Sequence, residues 1–412
     1  MSAPETKVLY LSYDGMTDPL PQSQVLPYLQ ALSKCGLSFT IISFEKAEVY
    51  ESNKEHIEAL CLASSIHWIP LLYTKKPPVL STIYDIYRLR NLCVKLIQEQ
   101  SFEVLHCRSY ITAMIGLWMK QKYGTKFIFD MRGFWADERV DGHIWSLGNP
   151  LYRRIYNFFK AKEKAYFLNA DYTVSLTYAG KNEIMKFDYM QGIASNIDVI
   201  PCCVDTDFFS SKTILPLSQI NLKQKLGIPQ DAYVLGYIGS IGTWYMLPEM
   251  LDFFVALKEQ DPSAVFLFLT REPPENIIRL AEEKKIDTSS LRILGVSRAE
   301  MPLHISLLNA SVFFIRPTFS KKASSPTKQG EIMSMSIPIV CNAGVGDGDF
   351  VIAKYDAGVV LSEFTKESYN IASKELKQKS FNVAKIRQGA EEFYSLNSGV
   401  NHYYTIYQKI LG

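Results

Sequence analysis

Short apolar runs alternate with longer amphipathic segments along most of the chain. In the first half, runs rich in Val, Ile, Phe and Tyr predict strands at Val8–Ser12, Phe39–Ser43, Val104–Cys107, Phe127–Asp130, Tyr172–Ser175 and Val199–Ile200. Segments with helical periodicity lie between them, at Val25–Lys34, Ile83–Gln98 and Leu151–Leu168. Strands that alternate with helices predict a parallel, doubly wound α/β sheet with right-handed crossovers.

A second series of the same kind begins after Pro201 and the polar, linker-like stretch Phe208–Gln219. Its predicted strands are Tyr233–Gly239, Val265–Thr270, Leu291–Leu294, Val312–Ile315 and Pro338–Cys341, with a helix at Pro248–Lys258. The aromatic-rich, helical segment Val400–Leu411 is expected to cross back onto the first domain. We therefore expect two Rossmann-like domains that face a cleft, formed by residues 1–205 with 396–412 and by residues 206–395.

Composition limits the partners and the compartment. The 412 residues are 47% hydrophobic and 21% charged, with a formal net charge of +2, so the overall field gives no reason to expect nucleic acid. Seven cysteines, two of them adjacent, lie outside any CxxC pair, which favours a reduced cytoplasmic protein. The segment Met1–Thr6 lacks signal-peptide features, and no apolar stretch approaches bilayer length, so we expect any membrane contact to be peripheral.

The stretch Ser324–Glu331 carries the most informative chemistry. Ser325 is a good N-cap, Pro326 suits the first helical position, and the N–H groups from Thr327 onward then favour an anion. Lys328 is expected to be a mobile cation beside that helix end, and Glu331 to accept hydrogen bonds from a ribose diol. The alternative is an ordinary capped helix whose acid complements the helix dipole.

This stretch resembles the donor-site motif of the family-4 retaining glycosyltransferases, in which two glutamates eight residues apart precede a helix and a G-x-P-V-V-like strand. Glu331 matches the second glutamate, which in the family contacts the nucleotide ribose, and Ala323 stands where the first would be. The S-P-x-K-x-x-E form is similar to a surface-polysaccharide branch of the family. That resemblance implies that Lys328 is a phosphate ligand. The segment Ile197–Phe209 likewise resembles the family's V-I-P-N-G-V-D-x-x-x-F segment, whose role is mostly structural.

A glycine-rich turn follows the strand predicted at Tyr233–Gly239. Glycines permit close approach of the backbone to a diphosphate, so the donor-binding candidates here are Gly239, Ser240, Gly242 and Thr243. Most family members carry an arginine and a Lys-Gly pair in this region, which this chain lacks. The phosphate charge is therefore assigned first to Lys328, with Arg316 and Lys321 as further candidates. Their alternative is a solvated basic loop.

In the first domain, candidate residues follow three predicted strands. Gly15 matches the family's glycine-bearing loop near donor and acceptor. His106 and Arg108 are expected on the acceptor side, and Asp130 and Arg132 stand where family members often carry a sugar-contacting histidine. Alternatively, Asp130 and Arg132 pair with each other, and His106 is an interior histidine. The segment Leu151–Lys162 is consistent either with a membrane-surface helix or with a packed helix that has a basic edge.

The resemblance implies the GT-B fold and sugar transfer from a nucleotide-sugar donor with retention of configuration, without a metal or other cofactor. Lys328, Asp130 and Arg132 are the catalytic candidates. The expected acceptor is a glycan or lipid-linked glycan in bacterial surface-polysaccharide synthesis, at the inner face of the membrane. Two alternatives remain: a UDP-sugar 2-epimerase of the same architecture, and a nucleotide-sugar-binding pseudoenzyme, since the first glutamate and the Arg/Lys pair are absent.

Overall fold

The computed structural model describes residues 6–194 and 196–412. Met1–Glu5, part of the segment that lacks signal-peptide features, lie outside the described residues, as does Ser195. The chain divides into two compact units, residues 1–201 with 396–412 and residues 202–395. Within the described ranges no helix is both long enough and apolar enough to cross a bilayer.

Unit 1 is built on a seven-stranded parallel sheet in the order β3-β2-β1-β4-β5-β6-β7. The strands are β1 Thr6–Ser12, β2 Leu37–Glu45, β3 His67–Leu72, β4 Val104–Arg108, β5 Lys126–Asp130, β6 Tyr172–Ser175 and β7 Ile197–Val199. The helices are α1 Pro19–Gln24, α2 Leu26–Ser33, α3 Ala47–Leu62, α4 Leu80–Glu99, α5 Ser109–Tyr123, α6 Trp135–Asp141, α7 Pro150–Asn169 and α8 Tyr178–Met185. The central strands are buried, as continuous apolar runs predict.

Unit 2 contains a six-stranded parallel sheet in the order β10-β9-β8-β11-β12-β13. Its strands are β8 Val234–Ile238, β9 Val265–Leu269, β10 Leu291–Leu294, β11 Ala310–Phe313, β12 Ile339–Asn342 and β13 Gly358–Leu361. Its helices are α9 Pro216–Lys225, α10 Leu247–Gln260, α11 Glu275–Glu283, α12 Met301–Ile305, α13 Thr327–Ser334, α14 Gly348–Tyr355, α15 Lys366–Gln378 and α16 Val383–Phe393. Two doubly wound α/β sheets are thus confirmed.

The last helix, α17 (Leu396–Leu411), belongs to unit 1, to which the sequence assigned it. Its Tyr403 packs edge-on against Tyr28 of α2, with ring centroids 5.6 Å apart. Tyr407 lies 6.1 Å from Phe39 of β2. The helix therefore returns to the core of the first sheet after the chain has formed unit 2.

The polar stretch predicted as a linker is partly helical. Pro216 begins α9, so the last residues of that stretch form a helical turn instead of a flexible connection. The ring of proline fixes φ near its helical value, and proline has no backbone N–H group that would need a partner in the first turn. A helix can therefore begin at Pro216, within the stretch predicted as a linker.

Arg387 of α16 fixes α13, the helix that carries the predicted donor motif. Its guanidinium donates to the carbonyl oxygens of Thr206 at 2.7 Å, Phe209 at 2.7 Å and Ser334 at 2.6 Å. Ser334 is the last residue of α13. A cation at a helix C-terminus also complements the helix dipole. The chain entering unit 2 and the end of α13 are therefore held together by one side chain.

Candidate functional site

Helix α13 begins without a side-chain cap. Pro326 occupies the N-cap position and Thr327 is the first helical residue, with no acidic side chain in the first turn. The prediction that Ser325 caps the helix is wrong, because its hydroxyl instead accepts the N–H of Cys202 at 3.1 Å. Pro326 likewise lies one position before the one predicted. The first N–H groups of a helix have no partner within it, so this end is suited to an anion.

Lys328 is buried and held by aromatic side chains, which corrects the expectation of a mobile cation. Its side chain is 8% exposed, and Nζ donates to the hydroxyl of Tyr237 at 3.2 Å. Nζ also lies 4.2 Å from the ring centroid of Tyr237 and 3.7 Å from that of Tyr245. Burial lowers the pKa of Lys328 well below the usual lysine value, and the nearby Glu331 carboxylate only partly opposes this.

The loop after β8 reaches the same ammonium group. Gly239 has a φ of +102°, and a Cβ there would lie 3.3 Å from Nζ of Lys328. A side chain at this position would be strained and would crowd the lysine. Ser240, Gly242 and Thr243 continue the loop and are exposed. The structure thus brings this predicted donor loop and Lys328 together within unit 2.

Glu331 lies one turn beyond Lys328 and faces a cation that sequence reasoning did not single out. Arg298 Nη1 stands 3.4 Å from Glu331 Oε1, in the segment that follows β10. Burial raises the pKa of Glu331, and the charges of Arg298 and Lys328 oppose this rise. Arg298 could have been found from the sequence, because it follows a predicted strand and ligands of parallel α/β sheets bind beyond the carboxyl ends of the strands. Tyr237 gave none, because a tyrosine inside an apolar strand reads as core.

The two other cationic candidates of unit 2 lie around Trp244. The backbone N–H of Arg316 donates to the Trp244 carbonyl at 3.0 Å, and the Arg316 side chain is exposed. Lys321 is buried, with Nζ 3.7 Å above the Trp244 ring. Neither alternative for Lys321 anticipated this packing. Ala323, at the position of the family's first glutamate, is fully buried.

In unit 1, Gly15 is required by a buried carboxylate that sequence reasoning missed. A Cβ on Gly15 would lie 2.5 Å from Glu45 Oε2. Glu45 ends β2 and accepts the backbone N–H groups of Met16 at 2.8 Å and Thr17 at 3.0 Å. The carboxylate therefore holds the loop after β1 in one shape, and only a glycine fits beside it.

His106 and Asp130 lie in the interior of unit 1, beneath α17. His106 Nδ1 is 2.6 Å from the Tyr407 hydroxyl, and its Nε2 is 3.6 Å from Asp130 Oδ2. Asp130 also accepts a hydrogen bond from Tyr403 at 3.3 Å. Arg132 Nη1 lies 3.8 Å from Asp130 Oδ1, as in the alternative in which the two residues pair with each other.

The pKa of Asp130 is lowered. Burial alone would raise the pKa of this carboxyl group, but the Arg132 charge, the His106 hydrogen bond and the Arg108 charge outweigh burial. The Asp130 carboxyl group is therefore ionised at neutral pH. Among the described residues, no group of three or more His, Cys, Asp or Glu side chains is arranged to hold a metal ion.

Comparisons with known proteins agree with this architecture. Residues 24–208 match the model of Glycosyltransferase Family 4, and no curated protein matches the chain. A glycosyltransferase from Rickettsia africae is 15% identical, with a TM-score of 0.70 and 99% of each chain covered. HepE from Anabaena, in complex with UDP-glucose, is 13% identical, with a TM-score of 0.70 over 98% of this chain and 99% of that chain.

A third structure, that of WaaG, a glycosyltransferase involved in lipopolysaccharide biosynthesis, is 14% identical. Its TM-score is 0.68, with 97% of this chain and 99% of that chain covered. At these identities the likeness shows the fold. The predicted GT-B class, with two Rossmann-like α/β domains, is confirmed.

Proposed function

We propose that the protein is a glycosyltransferase that takes a sugar from a nucleotide-sugar donor held by unit 2. The observation that carries the proposal is the uncapped start of α13, with the buried Lys328 ammonium beside the Gly239 loop. A cation in a low-dielectric setting next to free backbone N–H groups is suited to a diphosphate. The family match over residues 24–208, and the fold shared with HepE bound to UDP-glucose, support the same assignment.

In this proposal each part of the donor has a place. The diphosphate lies on the N-terminus of α13 and on Lys328, and the backbone of Gly239, Ser240, Gly242 and Thr243 approaches it from the other side. Glu331 accepts hydrogen bonds from the ribose hydroxyls. Arg316 and Lys321 are further cations of the same region.

Catalysis would rest on electrostatic stabilisation of the leaving group. Negative charge develops on the nucleotide diphosphate as the bond to the sugar breaks. Donors fixed before the reaction stabilise that charge more in the transition state than in the ground state. Lys328 and the α13 N–H groups are such donors, because Tyr237 and Tyr245 hold the ammonium in place. Retention of configuration, without a metal cofactor, is carried over from the family resemblance.

The acceptor is proposed to meet unit 1, where Asp130 and Arg132 are the catalytic candidates and His106 and Arg108 lie nearby. We propose a glycan or lipid-linked glycan of bacterial surface polysaccharide, at the inner face of the membrane. WaaG, which shares the fold, is involved in lipopolysaccharide biosynthesis. On α7, Leu151 and Phe158 are exposed near basic residues, which supports the peripheral membrane interpretation of that helix.

Incubating the purified protein with UDP-, GDP-, ADP- and CMP-linked sugars tests the enzymatic proposal. We expect one nucleotide class to release free nucleotide diphosphate, with water as a slow acceptor, when products are separated by anion-exchange chromatography. Glu331→Ala should slow this release at least tenfold, because it removes a charged hydrogen-bond acceptor worth about 1.5–3 kcal/mol. Glu282→Ala, an exposed change in the same unit, should leave it unchanged.

The same chromatogram separates the alternatives. An epimerised nucleotide sugar would identify a 2-epimerase. A nucleotide sugar that binds but is not cleaved would identify a binding protein and contradict the proposal of an enzyme.

A further inference from the structure

Three neighbouring strands of unit 1 end side by side. In the sheet register Ser12 of β1 pairs with Arg108 of β4, and Arg108 pairs with Asp130 of β5. Ligands of parallel α/β sheets bind at this edge, beyond the carboxyl ends of the strands. Arg108 occupies the central position of the three.

The Arg108 guanidinium is buried with donors left over. The residue is 3% exposed, and neither Nε nor Nη1 has a hydrogen-bond partner among the described residues. The facing carboxylate is that of Asp14, with Oδ2 3.6 Å from Nε, and the Asp14 side chain is itself 56% exposed. A guanidinium stays charged in proteins, so burying its N–H groups without acceptors is costly unless a ligand supplies them.

The other charges nearby do not meet this need. Asp130, the buried carboxylate of the cluster, is shared with Arg132 at 3.8 Å and His106 at 3.6 Å. Arg108 also stands at the N-cap of α5, which has neither a side-chain cap nor an acidic residue in its first turn. The positive end of a 15-residue helix therefore adds to the guanidinium charge.

The backbone around this position is strained. Ser109 has a φ of +69° and Arg132 a φ of +56°, in a region that non-glycine residues rarely occupy. Such strain costs free energy and clusters at binding and catalytic sites. Both strained residues, Ser109 after β4 and Arg132 after β5, therefore lie at the strand ends next to the unsatisfied Arg108 guanidinium, as expected for a binding site.

We propose that Arg108 and the N-terminus of α5 bind a phosphate group of the acceptor. A phosphate presents several oxygens, so that it can accept from Nε, from Nη1 and from the helix at once. The exposed Asp14 carboxylate, 3.6 Å from Nε, lies at the position that the phosphate oxygen takes, and binding displaces it. Identifying the phosphate as the acceptor's rests on the proposed function; the anion site itself does not.

Calorimetric titration with phenyl phosphate at constant ionic strength tests the site. Arg108→Gln should weaken binding at least tenfold, because a charge-assisted pair is lost. Asp14→Asn should strengthen binding several-fold, because the competing carboxylate is gone. Arg90→Gln, an exposed arginine of α4, is the matched control and should bind as wild type does. Equal affinity of wild type and Arg108→Gln would overturn the proposal.

The Asp14→Asn arm keeps the test decisive even if Arg108→Gln fails to fold, since an unchanged or weaker affinity there also contradicts the site. Phosphatidylcholine vesicles with and without phosphatidic acid show whether Arg108 prefers a lipid phosphate over the soluble one. UDP-, GDP-, ADP- and CMP-linked sugars titrated into the same samples monitor unit 2 separately. Phosphate binding that depends on Arg108 without any nucleotide-sugar binding would support the anion site and contradict the proposed function.

Discussion

A Lys328→Met variant is expected to lose sugar transfer by about 100-fold or more while unfolding at a higher temperature than wild type without ligand. The loss follows because removing one preorganised donor to a developing charge typically costs 10²–10³ in rate. The gain follows because burial lowers the pKa of Lys328, so the charged ammonium opposes folding in the unliganded protein. Methionine fills similar volume without a charge. Thermal unfolding and initial transfer rates measure both effects.

The difference in unfolding temperature between Lys328→Met and wild type should also depend on pH. A lysine with a lowered pKa costs stability while it is charged, and the cost disappears as the pH rises through its folded-state pKa towards the usual lysine value. The gap in unfolding temperature between Lys328→Met and wild type should therefore narrow as the pH rises. Lys366→Met, an exposed lysine in the same unit, is the control. A Lys328→Met protein that binds the donor as wild type does would refute the phosphate role.

Asp130→Asn is expected to destabilise unit 1 by about 3–5 kcal/mol at neutral pH, the range for breaking a buried charge pair. The substitution keeps the shape of the side chain but leaves the Arg132 guanidinium group, 3.8 Å from Asp130, without its buried counter-charge. Urea unfolding of wild type and variant measures the difference. Asp188→Asn, at an exposed position of the same unit, should change stability little.

The destabilisation by Asp130→Asn should also depend on pH in one direction. The folded-state pKa of Asp130 is lowered, so its contribution is complete above the ordinary aspartate value of about 3.9 and is lost as the pH falls through the lowered value. The two proteins should therefore converge in acid. A constant difference across that range would show that the ionised carboxylate is not what stabilises the cluster.

The strands buried on both faces could be predicted from the sequence because continuous apolar runs such as those of β1 and β9 are typical of the central strands of parallel sheets. Two edge strands could not. β3 carries Pro70 and is only half-buried, and β13 begins at Gly358, whose φ of +153° and close approach to Ile339 leave no room for a Cβ. Proline and glycine read locally as turns, and only pairing with a neighbour makes these segments strands.

The helix of the proposed donor motif could be located from the sequence, but its geometry could not. Spacing identifies α13, Lys328 and Glu331, since the helix and its charged residues are local. Ser325 does not cap the helix because its hydroxyl accepts a hydrogen bond from the backbone N–H of Cys202, which lies far away in the sequence. Whether Lys328 is mobile depends on Tyr237 and Tyr245, which reach it from the β8 region. Such long-range contacts leave no periodicity or spacing in the sequence.

The environments of the buried carboxylates of unit 1 could not be predicted from the sequence either. Glu45 ends an apolar strand and reads as a solvent-exposed terminus, yet it organises the loop that carries Gly15. Asp130 reads equally well as catalytic or as paired, and its lowered pKa arises from His106 and Arg108 of β4 and from Arg132 in the loop after β5. Charge networks of this kind are set by the packing of the sheet, after the strands have formed.

Binding of a nucleotide sugar by unit 2 through α13 is tested by thermal unfolding of wild type and Glu331→Ala with UDP-, GDP-, ADP- and CMP-linked sugars. A ligand that binds only the folded state adds about 2.7 kcal/mol at 100 times its dissociation constant. We expect one nucleotide class to stabilise wild type and Glu331→Ala to lose most of that shift. Stabilisation of neither protein by any of the four classes, or equal stabilisation of both, would contradict binding through α13.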